Sequence, residues 1–484
     1  MDTLNIFIDK SFLISKEVSA QYINKIPFGE YIFHYNDAEV TFLDEPGKTL
    51  IIHGFVVDSS NGEADQNVIL NYLFKYESFS EVIRFSKKLA GHFVIVYYAR
   101  DGLYILPDAT SSITVGYTVQ NRDLLVSTEP SIIARIKNYK ESSLSTKILS
   151  QTTEGHSLPY DLTMYDEIKY ITPNHYLNCN TGAIVRFFPS EKRSSISINE
   201  AVNKSSLLIK NIITAYRKRY KLAVSLTSGM DSRLILSFCK DFIGDIPTFI
   251  YRHDYMTDNT GDLVVPKLMA KELGFQHIII NDKLLPQNIL DQCKSRLGYE
   301  LTSSEVRNAW THINSELKLH YRLDGNIAPI AKSGFGKRMP EVFATSSYLN
   351  TKTHIYSIDS YRVVRRWKKD VQKKAKKSNI SKFDLFFWEH RSGRWTSRSY
   401  KNFNLLSNTI NPFNCRELLE VWVNIPRRER VIYSLHKEII KKNWPELLDF
   451  PINPDAKYKF ISRSSILFYF ASYLKYFLNF NRKL

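Results

Sequence analysis

Cysteine is scarce in this sequence. Four are present in 484 residues (Cys179, Cys239, Cys293 and Cys415), spaced too widely for a disulfide framework or a metal-ligand set. That usage points to a reducing compartment. No stretch has the ~18 or more uncharged apolar residues of a spanning helix. The opening MDTLNIFIDK lacks the basic, apolar and cleavage segments of a secretory signal. Acidic residues are also in deficit, with 49 Asp and Glu against 66 Lys and Arg, a net charge of +17. Such an excess suits nucleic acid, an anionic membrane or phosphorylated small molecules. No zinc-finger spacing or aromatic RNA-binding signature accompanies it, so no specific nucleic acid is expected. The expected location is the cytoplasm, with association at a membrane surface left open.

What is present is an ordinary globular composition, 43% hydrophobic and 24% charged, with 29 Tyr and 29 Phe. The length allows two or three domains, each with its own core. From the start to about residue 135, short apolar runs alternate with turn residues. Asn5–Ile8, Tyr31–His34, Thr49–His53, Phe93–Tyr98, Leu103–Leu106 and Leu124–Val126 read as strands, with a hairpin turn at Ala99–Gly102 and helical material over 66–90. The polar segment 189–196 reads as a linker and Ile198–Tyr220 as an amphipathic helix.

The stretch that organises the rest is Lys221–Phe238, KLAVSLTSGMDSRLILSF. Its apolar opening suits a buried strand, the small residues Thr227, Ser228 and Gly229 a tight turn, and Asp231 and Ser232 the start of a helix. Backbone N–H groups at such a turn can receive an anion, and Asp231 beside a phosphate implies an intervening Mg2+. The same residues also fit a turn in which Ser and Asp only cap the helix. Pro247–Tyr251, Gly261–Leu273 (closed by Gly274) and His277–Ile280 continue a strand, helix, strand alternation. That pattern implies a parallel sheet with ligands at the carboxyl ends of its strands.

Thr227-Ser-Gly-Met-Asp-Ser232 resembles the pyrophosphate-binding loop of the asparagine synthetase family, usually Ser-Gly-Gly-x-Asp-Ser. Earlier segments agree. Leu89–Val96, Leu103–Asp108 and Leu124–Glu129 resemble the second half of the glutamine amidohydrolase domain that precedes the synthetase domain in that family, and 157–188 continues the likeness. The expected fold class is therefore α/β. A layered α+β amidohydrolase-like domain (1–190) precedes a parallel-sheet, PP-loop ATP pyrophosphatase-like domain with a helical C-terminal part (191–484).

The resemblance implies an ATP-dependent ligase that adenylates a carboxylate and forms an amide with an amine or ammonia, with ATP and Mg2+ as cofactors. It places Leu226, Thr227, Ser228, Gly229, Asp231, Ser232, Asp324 and Gly325 around ATP, and Asp231 on the metal. The family's glutaminase nucleophile is a cysteine after the initiator Met. Here that residue is Asp2, and a carboxylate cannot serve as the thiolate. Glutamine hydrolysis is thus not expected, as in the β-lactam synthetases and lasso-peptide cyclases.

Other departures follow. Pro329 and Ile330 replace an acidic pair, leaving Asp324 or Glu341 to substitute, and Asn414 stands for the Asp of a Pro-Phe-Leu-Asp segment. The late family lysine has only Lys457 and Lys459 near its place. Lys457 and Glu389 are the candidate catalytic groups. Glu389, Arg391 and Arg394 fit either a substrate carboxylate or a buried ion pair beneath Trp388 and Trp395. Lys332, Lys337 and Arg338 fit phosphate or solvent. His277 reads as a strand-start histidine with ordinary packing.

The run 362–377 carries nine Lys or Arg, hence a solvated face, or a site for membrane lipid or an anionic glycan precursor. The aromatic end 464–480 reads as an interfacial helix or the last core helix. A degenerate, non-catalytic nucleotide- or partner-binding protein and a glutamine-dependent asparagine synthase are the alternative functions.

Overall fold

Period-2 alternation in the first half resolves into two antiparallel six-stranded sheets. The computed structural model describes residues 6–36, 39–120, 123–152, 157–336, 339–355, 357–455 and 465–481. One sheet runs β10 (Lys169–Tyr170), β8 (Gly116–Gln120), β9 (Asp123–Ser127), β1 (Phe12–Ser15), β3 (Tyr31–Tyr35), β2 (Asn24–Phe28). The other runs β12 (Ala183–Arg186), β11 (His175–Asn178), β7 (Gly102–Pro107), β6 (Leu89–Ala99), β5 (Lys48–Asp58), β4 (Val40–Glu45).

Ile51, Val94 and Val96 join Phe12, Ile14 and Phe33 in the core between the sheets. Their strand neighbours Leu50, Ile52, Phe93 and Ile95 pack instead with Ile69, Leu73 and Val82 of the helices Gln66–Phe74 and Phe79–Ser86. Successive side chains point to opposite faces, so a strand apolar at every position must be covered twice. On the first sheet, Leu13 and Leu125 are covered by Ile132 and Ile133 of the helix Pro130–Lys137. The result is a helix, sheet, sheet, helix stack.

The strand expected at Asn5–Ile8 does not form over its described residues, which have no sheet partner. Phe7 is buried in a cluster with Ile280, Ile289 and Leu297 of the second half, and Ile8 N–H donates to the Leu405 carbonyl at 3.0 Å. Tertiary burial takes the apolar run that alternation alone assigns to a strand.

The second half is built on a parallel sheet in the order β15 (His277–Asn281), β14 (Thr248–Arg252), β13 (Leu222–Ser225), β16 (Tyr321–Leu323), β17 (Thr409–Ile410). The first three strands alternate with helices Met230–Ser237 and Gly261–Leu273, and the second of these ends at Gly274 with φ +73°, the left-handed position glycine fills without strain. β14 and β15 lie on one side of β13, and β16 and β17 on the other. The order therefore reverses between β13 and β16, the place where open α/β sheets bind ligands beyond their carboxyl ends.

The halves share one core. Phe55, Val57, Ala90 and Ala109 join Leu222, Val224 and Leu226 in the largest cluster. Asn414 stitches them together. Its Nδ2 donates to Asp108 Oδ1 at 2.9 Å, its Oδ1 accepts from Thr110 Oγ1 at 3.0 Å, and its carbonyl accepts from Gly91 N–H at 3.1 Å.

Candidate functional site

The turn Leu226–Gly229 leaves the carboxyl end of β13 and enters the helix Met230–Ser237. Leu226 is fully buried and Ser228 nearly so, while Thr227, Gly229 and Asp231 keep partial exposure. Much of the turn is bonded internally. Ser232 Oγ accepts from Thr227 N–H at 3.1 Å, and Thr227 Oγ1 accepts from Gly229 N–H at 3.2 Å. Ser228 N–H and Oγ both donate to Asp262 Oδ1, at 2.8 and 2.6 Å. No side chain caps the helix at Gly229. Its first-turn N–H groups, at the positive end of the helix dipole, are the part of the loop suited to phosphate oxygens.

Gly325 lies two residues after β16, and a Cβ added there would meet Asp231 Cβ and carbonyl O at 3.3 Å. The structure thus brings the turn and Asp324-Gly325 together at the strand-order reversal. Asp231 is engaged on both oxygens, by Lys332 Nζ at 2.6 Å and His436 Nε2 at 3.1 Å. Burial would raise its pKa, but the Lys332 ammonium and the His436 contact more than reverse this and hold the carboxyl below its ordinary value. Burial lowers the pKa of His436, partly offset by Asp231. Its Nδ1 has no partner among the described residues. Asp324 Oδ1 accepts from Tyr400 Oη and Asn411 Nδ2, both at 2.8 Å, and its Oδ2 accepts from Asn326 Nδ2 at 2.9 Å.

These contacts decide how the site fits the expected cofactors. An uncapped helix start beside a lysine fits phosphate. A protein-held Mg2+ does not fit, because the ion needs free oxygen ligands. Both carboxylates here are already given to donors, Asp231 to Lys332 and His436, and Asp324 to Tyr400, Asn411 and Asn326. Asp231, expected on the metal, instead pairs with Lys332.

A second layer closes over the turn. The buried Arg233 guanidinium donates to the carbonyls of Leu447, Phe450 and Ser228 at 2.9, 2.8 and 3.0 Å, and also to Pro451. Asn453 N–H reaches Ser228 O at 3.3 Å, and Asp455 Oδ2 accepts Gly261 N–H at 2.6 Å. The segment 450–455 is therefore strapped across the loop. Asp262, Arg233 and His436 were not identified from the sequence. Asp262 carried one usable signal, as an acidic residue in the first turn of the next helix.

Other expected groups lie elsewhere. Glu389 accepts from Arg186 Nη2 at 2.9 Å, Trp367 Nε1 at 2.8 Å and Asn174 Nδ2 at 2.8 Å, and is 1% exposed. A carboxylate so enclosed has no access to substrate. Its partner is Arg186, 203 residues away in the sequence, rather than Arg391 or Arg394. Arg391 stacks on Trp395 at 3.3 Å, and Arg394 donates to the Leu162 carbonyl at 3.2 Å. Glu389, Arg391, Arg394 and Trp395 sit on a π-helix, Phe387–Thr396. Glu341 is spent on Ser381 Oγ and Lys382 N–H, at 2.7 and 2.8 Å. His277 Nδ1 lies 2.9 Å from Thr248 Oγ1 at the strand start. Lys457, Lys459, Lys337, Arg338 and Asp2 lie outside the described residues.

The basic run lies on the helix Ile358–Ser378. Val364, Trp367, Val371 and Ala375 are buried, and Arg362, Arg365, Lys369, Lys373 and Lys377 are exposed. The helix Ser465–Asn481 stacks Tyr469 on Tyr348, with ring centroids 5.1 Å apart, and leaves Ile466, Phe470, Leu474 and Leu478 exposed. No helix among the described residues is long and apolar enough to cross a membrane.

No protein-family model and no curated protein matches the chain. One solved structure it resembles is the glutamine-dependent NAD+ synthetase from Acinetobacter baumannii in complex with ADP. The identity is 13%, over 47% of this chain and 52% of that one, with a TM-score of 0.22. The chain thus spans about half the length of that structure. So distant a likeness bears on neither substrate nor reaction, and the fold rests on the strand order above.

Proposed function

We propose that the chain is an ATP-dependent ligase, with the nucleotide's phosphates on the first-turn amides of Met230–Ser237. The observation that supports this reading is an uncapped helix start at the reversal of strand order, with Lys332 beside it. In the proposed reaction an oxygen of the acid attacks the α-phosphorus and pyrophosphate leaves. An amine then attacks the acyl carbon, AMP leaves, and the amine's extra proton passes to solvent. Lys332 supplies positive charge near the departing phosphates, and the buried surroundings strengthen that interaction. Holding both fragments together removes the entropy cost of their encounter. Mg2+ would arrive on the nucleotide and supply further charge neutralisation when bound.

The test is pyrophosphate release from ATP with panels of acids and amines. Asp231→Asn, which weakens the hold on Lys332, should slow release; undiminished release would remove that carboxylate from the mechanism. A second reading, nucleotide or partner binding without turnover, is favoured by the Asp262 carboxylate on Ser228 N–H and by the strap over the turn. Calorimetry with ATP and Mg2+ separates the two, since binding with no turnover of any acid supports the second. The exposed cations of the helix Ile358–Ser378 support docking on an anionic surface. Co-sedimentation with phosphatidylserine vesicles tests it.

A further inference from the structure

A cleft of about 720 Å3 opens between residues 193–195, the second half of the helix Ile358–Ser378 and residues 423–427. It is of the size that takes a small organic ligand, and no residue of the turn 226–232 lines it. Among the described residues its wall holds six Lys or Arg and one carboxylate, Glu341. Three of these cations are matched: Arg193 by Glu420 at 2.6 Å, Arg430 by Asp384 at 2.6 Å and Lys382 by Glu341 at 3.4 Å. Both Glu341 oxygens also accept, from Ser381 Oγ and the Lys382 N–H. Lys373 and Lys376, three residues apart on the helix, are exposed and pair with no carboxylate among the described residues.

Neighbouring cations register the imbalance. Burial lowers the pKa of Arg427, and Asp384 and Glu341 do not restore it. Burial also lowers that of Lys368, one turn before Gln372 on the same helix, and the Lys382 ammonium lowers it further, with Glu341 offsetting only part. Where the chain does balance a buried cation the carboxylate prevails, as Glu389 does in raising Arg186 against its burial. A cleft walled by uncompensated charge of one sign concentrates the opposite charge. Two lysines offer more than one positive charge, which matches a phosphate dianion better than a single carboxylate.

Neutral groups set the body of the ligand. Ser194, Ser195, Gln372, Asn379 and Asn424 line the same cleft, and their side chains make no hydrogen bond to the protein among the described residues. They offer both donors and acceptors, as hydroxyl groups require. No aromatic side chain lines the cleft among the described residues, so a nucleobase has no ring to stack on.

We propose that this cleft binds a phosphorylated sugar, its phosphate on Lys373 and Lys376 and its hydroxyls among the amide and serine side chains. Binding involves neither ATP nor turnover, so failure here leaves the ligase reading untouched. A lipid headgroup shares the phosphate, and the experiment separates the two sources.

The experiment is calorimetry on the whole chain without nucleotide or lipid. The probes are glucose 6-phosphate, glucose 1-phosphate and fructose 1,6-bisphosphate, against glucose, inorganic phosphate and AMP. At least one sugar phosphate should bind at least about tenfold more tightly than all three controls. Lys373→Gln combined with Lys376→Gln should cost about tenfold or more. In the unaltered chain the same sugar phosphate should slow acetylation of Lys373 and Lys376 by acetic anhydride, read by peptide mass spectrometry and independent of variant folding. Lys369 and Lys377, exposed on the same helix but outside the cleft, should stay unprotected. No binding of any sugar phosphate at about 10 mM, binding no tighter than inorganic phosphate or AMP, unchanged affinity in the double variant, or protection of Lys332 in place of Lys373 and Lys376 would each overturn the assignment. So would binding confined to phosphatidylserine vesicles, which would give the cleft to a lipid headgroup.

Discussion

Asp262 takes both donors of Ser228, the backbone N–H at 2.8 Å and Oγ at 2.6 Å. A carboxylate of the chain thereby sits beside the helix start to which the proposed function assigns the phosphates. Charge-assisted bonds of this kind are stronger than neutral ones. Asp262→Asn should therefore lower stability by about 2 kcal/mol and, by removing a negative charge beside the phosphates, tighten ATP binding several-fold. Thermal unfolding and an ATP titration check the two effects. If affinity fell along with stability, Asp262 would be a scaffold for the turn and no competitor of phosphate.

Lys332 and Asp231 predict a pH signature. The folded-state pKa of Asp231 is depressed, so its pairing stabilises above the unfolded carboxylate pKa of about 4 and is lost as pH falls through the folded value. Lys332→Met should lower the unfolding midpoint most near pH 7, and the difference from the parent should shrink below about pH 4. A difference constant down to acid pH would assign the loss to packing of the lysine stem.

Glu389 pairs with Arg186 and is sealed from solvent. Removing Glu389 leaves Arg186 with Asp370 Oδ2, 2.7 Å from its Nε, as its remaining carboxylate, so Glu389→Ala should cost about 3 kcal/mol in denaturant unfolding, the low end for a broken buried pair. Adding Arg186→Met should recover much of that loss. If Glu389→Ala left stability intact while abolishing pyrophosphate release, the carboxylate would act at the chemistry after all.

Histidine burial sets a further pH dependence. Burial lowers His53 and His312 to about 4 and His92 to about 3. The unfolded chain protonates these rings near 6.5 and the folded one does not. Stability should therefore fall as pH drops below about 6.5 and keep falling to about 4. Glu129, raised to about 6 by burial, opposes this between its ordinary value and 6. Unfolding midpoints measured between pH 7 and 4 should decline throughout. A flat profile would mean that the rings gain protons in the folded state.

The sequence by itself determined what local pattern can carry. Alternation placed β3, β5, β6, β7 and β9 but not the other strands of the first half, and β13, β14 and β15 with their two helices followed from apolar runs and from Gly274 as a stop. Neighbouring residues share one backbone geometry, so period and capping report it directly. β16 and β17 escaped, being three and two residues long and set by pairing with β13 and with each other. Only the tertiary structure decided which charges meet. Asp231 lies 101 residues from Lys332 and 205 from His436, and Arg186 lies 203 from Glu389. A carboxylate looks the same in the sequence whether it will hold a metal, a lysine or a buried arginine. Its role is fixed by what the fold brings within about 3 Å, and by how little water the fold leaves around it.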